Sequence, residues 1–258
     1  MRITFLQTDI LWEQKTANLA FYEKQLAELS GQTDLVVLTE MCTTGFSMHS
    51  EALGETNDGD SIRNFLRMSA QYGMAIAGTH IGKEGSANYF NRAFFIQPDG
   101  KVAFYDKKHL FRMGDEPTNF SAGNHKTMVS YLGWNIRLST CYDLRFPIWL
   151  RNVDNEYDLL LVMSNWPESR QHVFSSLLIA RAIENQAFVC GTNRIGTDGN
   201  GLYYAGGSML VDAYGNTLNS VTLNEQSIQT TNLDLEKLQS FRAKFPVWKD
   251  ADRFKIIS

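Results

Sequence analysis

Two short runs of this chain, residues 35–38 and 159–163, are apolar at every position. A strand with one face in water alternates apolar and polar side chains. An unbroken apolar run of this length fits a strand covered on both faces. That requirement restricts the chain to layered folds in which sheets are sandwiched between other elements.

The flanking pattern agrees. Residues 2–8 read as a strand. Residues 16–30 carry Ala17, Ala20, Phe21, Leu26 and Leu29 at helical spacing. A helix is expected over 61–72, and a strand over 74–81 ending in a glycine-rich turn. Residues 91–97 and 102–105 flank Pro98-Asp99-Gly100, whose Asp-Gly pair marks a hairpin turn. In the second half, strands are expected over 126–129 and 134–140 around Leu132-Gly133. A helix opens at 147–152, and a strand over 188–192 follows a helix over 174–185. A second hairpin is expected from 208–212 and 217–220, then a strand over 228–233 and a helix over 235–241. No linker, low-complexity tract or fixed-period repeat interrupts the 258 residues. The expectation is one layered α/β domain over 1–258, its segment from about 234 to 258 serving as a tail or interface arm.

Charge and cysteine content exclude several function classes. The net charge of −4 leaves no electrostatic footprint for nucleic acid. No run approaches the roughly 18 apolar residues of a membrane span, and the N-terminus reads directly as a strand without a signal-peptide cleavage region. Three widely spaced cysteines, Cys42, Cys141 and Cys190, argue against a disulfide framework and fit a reducing compartment, the cytoplasm by default. No CxxC or HExxH is present and the five histidines lack ligand spacing, so neither metal nor cofactor is expected.

Three segments carry chemistry. Glu40 ends an apolar strand, in Leu38-Thr39-Glu40-Met41. Lys107 follows another, in Tyr105-Asp106-Lys107-Lys108-His109. Cys141 follows residues 134–140 and opens Cys141-Tyr142-Asp143-Leu144-Arg145-Phe146-Pro147. A thiol, a carboxylate and an ammonium suit covalent attack on an amide or nitrile carbon. The thiolate is the reactive form of cysteine, a neighbouring ammonium favours it, and a carboxylate can take its proton. The tetrahedral oxyanion needs positive charge or N–H donors, which Lys107 and the backbone N–H of Tyr142 can supply.

Each residue also has an ordinary reading. A cysteine after a buried strand is commonly a small hydrophobe; Cys190 keeps that reading, and Cys42 is expected as packing or a pocket wall. Glu40 can be a strand-end ion pair, although a carboxylate ending an all-apolar strand is costly without a task. Lys107 and Lys108 can be a solvated basic pair. His109 is expected as a hydrogen-bonded, orienting residue.

Taken in order, Glu40, Lys107 and Cys141 with their flanking residues resemble the nitrilase, or carbon-nitrogen hydrolase, superfamily. Ser164-Asn165-Trp166-Pro167, residues 180–185, Asn193-Arg194 and Gly207-Ser208 resemble further markers of that family, so the likeness runs over nearly the whole chain. Thr39 stands where the family often has proline. The resemblance implies a four-layer α-β-β-α sandwich, pairing of two copies across the helices near 147–152 and 174–185, and a homodimer or larger assembly. It implies a second carboxylate near the lysine: Glu116, followed by Phe120 and Gly123, with Asp115 as the competing candidate.

Met41-Cys42-Thr43-Thr44-Gly45-Phe46-Ser47-Met48 further resembles the ω-amidase branch, as do Trp12 and His109-Leu110-Phe111-Arg112-Met113. That implies hydrolysis of the terminal amide of 2-oxoglutaramate or 2-oxosuccinamate, so the expected partners are a small-molecule amide and further copies of the chain, with no nucleic acid and no membrane. A 2-oxo acid carboxylate asks for a cation. Arg145 and Arg170 are the candidates, although an ion pair with Asp143 or a helix carboxylate is the favoured reading of Arg145, and a surface location is the equal alternative for Arg170. Tyr142, Trp166 and Phe46 are candidates for the pocket around the substrate. Another amidase, a carbamoylase or a nitrilase remains an alternative, as does a catalytically silent binding protein on the same scaffold.

Overall fold

The computed structural model describes residues 1–219 and 221–256. In its first half, β1 (Arg2–Gln7), α1 (Lys15–Glu28), β2 (Leu35–Val37), α2 (Ser50–Leu53), α3 (Asp60–Tyr72), β3 (Ala75–Glu84), β4 (Asn88–Ile96) and β5 (Val102–Asp106) succeed one another. The second half comprises α4 (Glu116–Asn119), β6 (Met128–Tyr131), β7 (Trp134–Thr140), α5 (Pro147–Leu150), β8 (Leu159–Ser164), α6 (Gln171–Asn185), β9 (Phe188–Asn193), β10 (Ile195–Thr197), β11 (Tyr203–Ala205), β12 (Met209–Val211), β13 (Ser227–Asn232) and α7 (Leu235–Lys244).

Two sheets result. One has the order β13-β1-β2-β3-β4-β5 and the other β12-β9-β8-β7-β6. Each is parallel at its centre, β1-β2-β3 and β7-β8-β9, and antiparallel at its edges.

The apolar run at 35–38 shows how the layers form. Leu35 and Val37 point to one side, with Ile3, Phe5, Ala75, Ala77 and Phe95, and meet Ile136 and Leu138 of the other sheet. Val36 and Leu38 point to the opposite side, against Leu19, Tyr22 and Leu26 of α1 and Ile62, Phe65 and Met68 of α3. Phe174, Leu178 and Ala182 of α6 join the core of the second sheet. Helices, sheet, sheet and helix thus stack as an α-β-β-α sandwich. Hydrogen bonds fix how the sheets meet: Thr192 Oγ1 donates to the Leu38 carbonyl (2.7 Å) and Asn165 Nδ2 to the Glu40 carbonyl (2.9 Å).

Several boundaries differ from the sequence reading. β3 continues through Gly82 to Glu84, paired with Phe90, Tyr89 and Asn88 of β4, and the chain turns at Gly85 instead; a Cβ at Gly82 would stand 2.9 Å from the Arg92 side chain. α5 is a single turn ending at Leu150. The return strand of the late hairpin is reduced to one bridge, Val211 with Thr217, and Ser220 lies outside the described residues. β10 and β11 form a small hairpin that the sequence reading passed over.

From residue 234 onward the chain begins with α7. Its Leu238 is buried, and Arg242 pairs with Asp158 (2.7 Å) while donating to the carbonyls of Gln186 and Tyr157. On the helices expected to face a second copy, Ile148 and Ile183 are exposed. Among the described residues no helix is long and apolar enough to cross a membrane.

Candidate active site

The residues singled out as Glu40, Lys107 and Cys141 all stand just beyond strand ends, the first two on one sheet and the third on the other. Glu40 lies three residues past β2, Lys107 one past β5, and Cys141 one past β7. Cys141 has φ +44° and opens the 3₁₀ turn Cys141–Arg145; Met41, next to Glu40, also has φ +44°. Left-handed backbone at a non-glycine residue is costly and is held only by its surroundings. Asp143 supplies that support behind the sulfur. Its carboxylate accepts from Thr140 N (3.1 Å), Tyr105 Oη (2.6 Å), His109 N (3.0 Å) and His109 Nδ1 (2.8 Å). His109 stacks on Phe146 with ring centres 3.7 Å apart, the orienting position expected of it.

Lys107 is enclosed. Its Nζ donates to Glu40 Oε1 (2.9 Å), Glu116 Oε1 (2.9 Å) and Glu116 Oε2 (2.8 Å), and it lies over the Phe46 ring at 5.3 Å. Of the two acidic candidates, Glu116 is the one against Lys107; Asp115 is exposed and lines the cavity above. Glu116 is fixed further by Phe111 N at 2.6 Å. Gly123 is required where it stands, because a Cβ there would lie 2.1 Å from the Asp106 carbonyl oxygen, and its N–H holds the Lys107 carbonyl at 2.9 Å.

All three N–H bonds of the ammonium therefore go to carboxylates, and none to sulfur. Burial, and after it the Glu40 charge, push the Cys141 thiol well above its ordinary range, with Lys107 pulling the other way. The ammonium does not donate to the sulfur, so the direct ammonium–thiolate pairing that the sequence suggested does not form. Burial also raises Glu40; Lys107 lowers it, and Glu116 adds to the rise. For Lys107, burial lowers the pKa, and the charges of Glu116 and Glu40 outweigh it, so the ammonium stays charged. Glu40 Oε1 accepts two hydrogen bonds while Oε2 has none.

Above this cluster opens a cavity of about 560 Å³. Cys141 is at its floor, and Phe46, Tyr142, Trp166, Arg145 and Arg170 are among its walls. Arg145 lies over the Trp166 ring at 4.8 Å and Arg170 over Phe111 at 5.2 Å. Neither arginine has an ion-pair partner among the described residues. The expected pairing of Arg145 with Asp143 does not form, because Asp143 is already surrounded by Tyr105, His109 and the Thr140 amide. Cys42 is buried against α1 and is packing, with no place in the cavity wall; Cys190 is buried in β9.

Three polar residues of the site escaped the sequence reading. Asn91 bridges Glu40 and Glu116, Thr79 holds Asn91, and Asn165 ties Glu40 to the second sheet. Asn165 also places its own carbonyl 3.9 Å from Cys141 Sγ. Asn193 grips Trp166 from both sides, through its N–H (2.8 Å) and its carbonyl (2.9 Å). No local signal marks the first three: Asn91 and Thr79 lie in strands of mixed polarity, and Asn165 stands one residue past β8.

The arrangement matches known proteins over its full extent. Residues 2–243 match the carbon-nitrogen hydrolase family model. The omega-amidase YafV of Escherichia coli is 40% identical over 99% of this chain and 98% of its own. The 2-oxoglutaramate amidase of Bacillus subtilis is 30% identical over 96% of each. A carbon-nitrogen hydrolase superfamily protein of Xanthomonas campestris, solved with an arsenic adduct in its active site, superposes with a TM-score of 0.96 at 37% identity, covering 99% of this chain and 98% of that one. The chain belongs to the carbon-nitrogen hydrolase family, among whose members it resembles amidases.

Proposed function

We propose that this enzyme hydrolyses the terminal amide of small 2-oxo acid amides, 2-oxoglutaramate and 2-oxosuccinamate, through a thioester on Cys141. The observation that carries the reading is the pairing of a buried Cys141–Glu40–Lys107–Glu116 cluster with two arginines in the cavity above it that have no ion-pair partner among the described residues. The names of the Escherichia coli and Bacillus subtilis relatives support the substrate class.

In this mechanism Cys141 Sγ attacks the amide carbon and its proton passes to Glu40 Oε2. The carbonyl electrons move to oxygen, which meets the Tyr142 N–H and the field of Lys107. At the start of the turn Cys141–Arg145 the N–H of Tyr142 has no intrahelical acceptor. When the C–N bond breaks, Glu40 returns the proton to nitrogen and ammonia leaves. Glu40 then takes a proton from water as the water's oxygen attacks the thioester; the C–S bond breaks, Glu40 passes that proton to the departing Cys141 sulfur, and the carboxylic acid leaves. Glu116 keeps Lys107 oriented throughout, and Phe46 and Trp166 wall the acyl chain.

The substrate test is ammonia release from 2-oxoglutaramate, glutamine, a carbamoyl amino acid and an aliphatic nitrile. The keto-amide is expected to give the highest kcat/KM. Replacing Arg145 or Arg170 with methionine should raise KM for the keto-amide by about tenfold to a hundredfold, since a charge-assisted hydrogen bond contributes roughly 1.5–3 kcal/mol. A neutral aliphatic amide should be nearly indifferent to either change. If another class is the best substrate, the assignment is wrong.

The pH dependence follows from Glu40. The base must be ionised, and burial raises its pKa. The acid limb of kcat/KM should therefore lie above the ordinary glutamate value of about 4.3, with activity lost as pH falls through it. A limb at or below that value in initial-rate profiles would remove Glu40 from the role of base.

A further inference from the structure

Asn91 sits on β4, and its carboxamide stands between the two buried carboxylates. Nδ2 donates to Glu40 Oε1 at 2.7 Å and to Glu116 Oε1 at 2.9 Å. The neighbours decide which end of this amide is nitrogen. Met41 N–H donates to Thr79 Oγ1 (2.7 Å), so the hydroxyl proton is directed onward to Asn91 Oδ1 (2.9 Å). The chain of donors therefore runs one way, from the backbone beside Glu40 through Thr79 and Asn91 and back to Glu40.

Charge counting shows what this does. Two carboxylates and one ammonium, all fully buried, carry one uncompensated negative charge. A second cation would compensate it and would also lower the basicity of Glu40. The fold places a neutral amide there instead. An amide donates hydrogen bonds to both anions and neither takes up nor releases a proton in the working range.

We propose that Asn91, oriented by Thr79, is a positioning residue that keeps Glu40 ionised and selects its basic oxygen. With Lys107 it occupies Oε1, leaving Oε2 as the oxygen free to receive a proton. The proposal rests on the reading of Glu40 as the base. It adds a residue that touches neither substrate nor sulfur and acts through the carboxylates alone.

The test uses Asn91→Leu, which keeps the volume and removes the amide, and Thr79→Val, which removes only the hydroxyl. Two pH profiles are recorded for each: kcat/KM for ammonia release from 2-oxoglutaramate, and the rate of Cys141 alkylation by iodoacetamide. In Asn91→Leu both acid limbs should move up by about one pH unit, the loss of one hydrogen bond to a charged group. Thr79→Val should move them less, and Thr79→Ser should restore them. KM should stay near wild type, because neither side chain lines the cavity. If Asn91→Leu does not fold, Thr79→Val and Thr79→Ser carry the comparison. Folded variants with unmoved limbs would overturn the proposal and leave Asn91 as packing. A limb that moves in alkylation while the wild type ignores every keto-amide would uphold the positioning role and reject the substrate.

Discussion

Cys141→Ala should lower ammonia release by about 10⁴-fold or more while the melting temperature changes by only a few degrees. The loss is large because the other two thiols are buried in β9 and behind α1, away from the cavity. The fold should tolerate the change for two reasons. The sulfur's hydrogen bond to the Asn165 carbonyl is long, at 3.9 Å. A non-glycine residue already bears the cost of φ +44°, and alanine inherits it. Initial rates and thermal melts decide the matter, together with thiol labelling, which should be fast at one cysteine in the wild type and at none in the variant. A folded Cys141→Ala protein that still turned over would mean that water attacks the amide directly.

Lys107→Met should abolish turnover and also weaken the protein. Removing one partner from a buried ion cluster costs about 3–5 kcal/mol, because the remaining charges have no compensation. For a chain of this length that corresponds to a fall in melting temperature of about 10 °C. The sign of its pH dependence is informative. Burial already raises Glu40, and without the ammonium that pulls it down Glu40 would have a folded-state pKa raised further above the unfolded one. The folded state would then bind more protons than the unfolded state, so stability should rise as pH falls. Adding Glu116→Gln should recover part of the melting temperature and none of the activity. Equal melting temperatures for wild type and Lys107→Met across pH would show that the cluster is not ionised as drawn.

Glu40 was legible because a carboxylate follows an all-apolar run, where burial is expensive without a purpose, whereas Lys107 and Cys141 were legible through their flanking residues, Lys107-Lys108-His109-Leu110-Phe111 and Cys141-Tyr142-Asp143-Leu144-Arg145-Phe146-Pro147, which resemble the family. The layered fold was legible for a related reason: residues 35–38 offer apolar side chains to both faces, and the structure covers both. Asn91 and Thr79 were not, since their meaning depends on register. Thr79 pairs with Ala93 and Asn91 with Ile81 across β3 and β4, and only that alignment turns both polar groups toward Glu40. Arg145 was misread for a different reason. Asp143 is its neighbour in the chain, but partners 34 and 38 residues away, His109 and Tyr105, reach that carboxylate first. The β10–β11 hairpin is made of three-residue strands, too short for periodicity to register.

Glu40 and Lys107 stand on one sheet, and Cys141 stands on the other. No fragment ending between residues 116 and 141 could therefore carry the proposed reaction, whichever half it kept. Turnover becomes a gauge of how the two halves of the molecule are seated. Any displacement that slides them by the length of one bond would silence the enzyme long before either half lost its own shape.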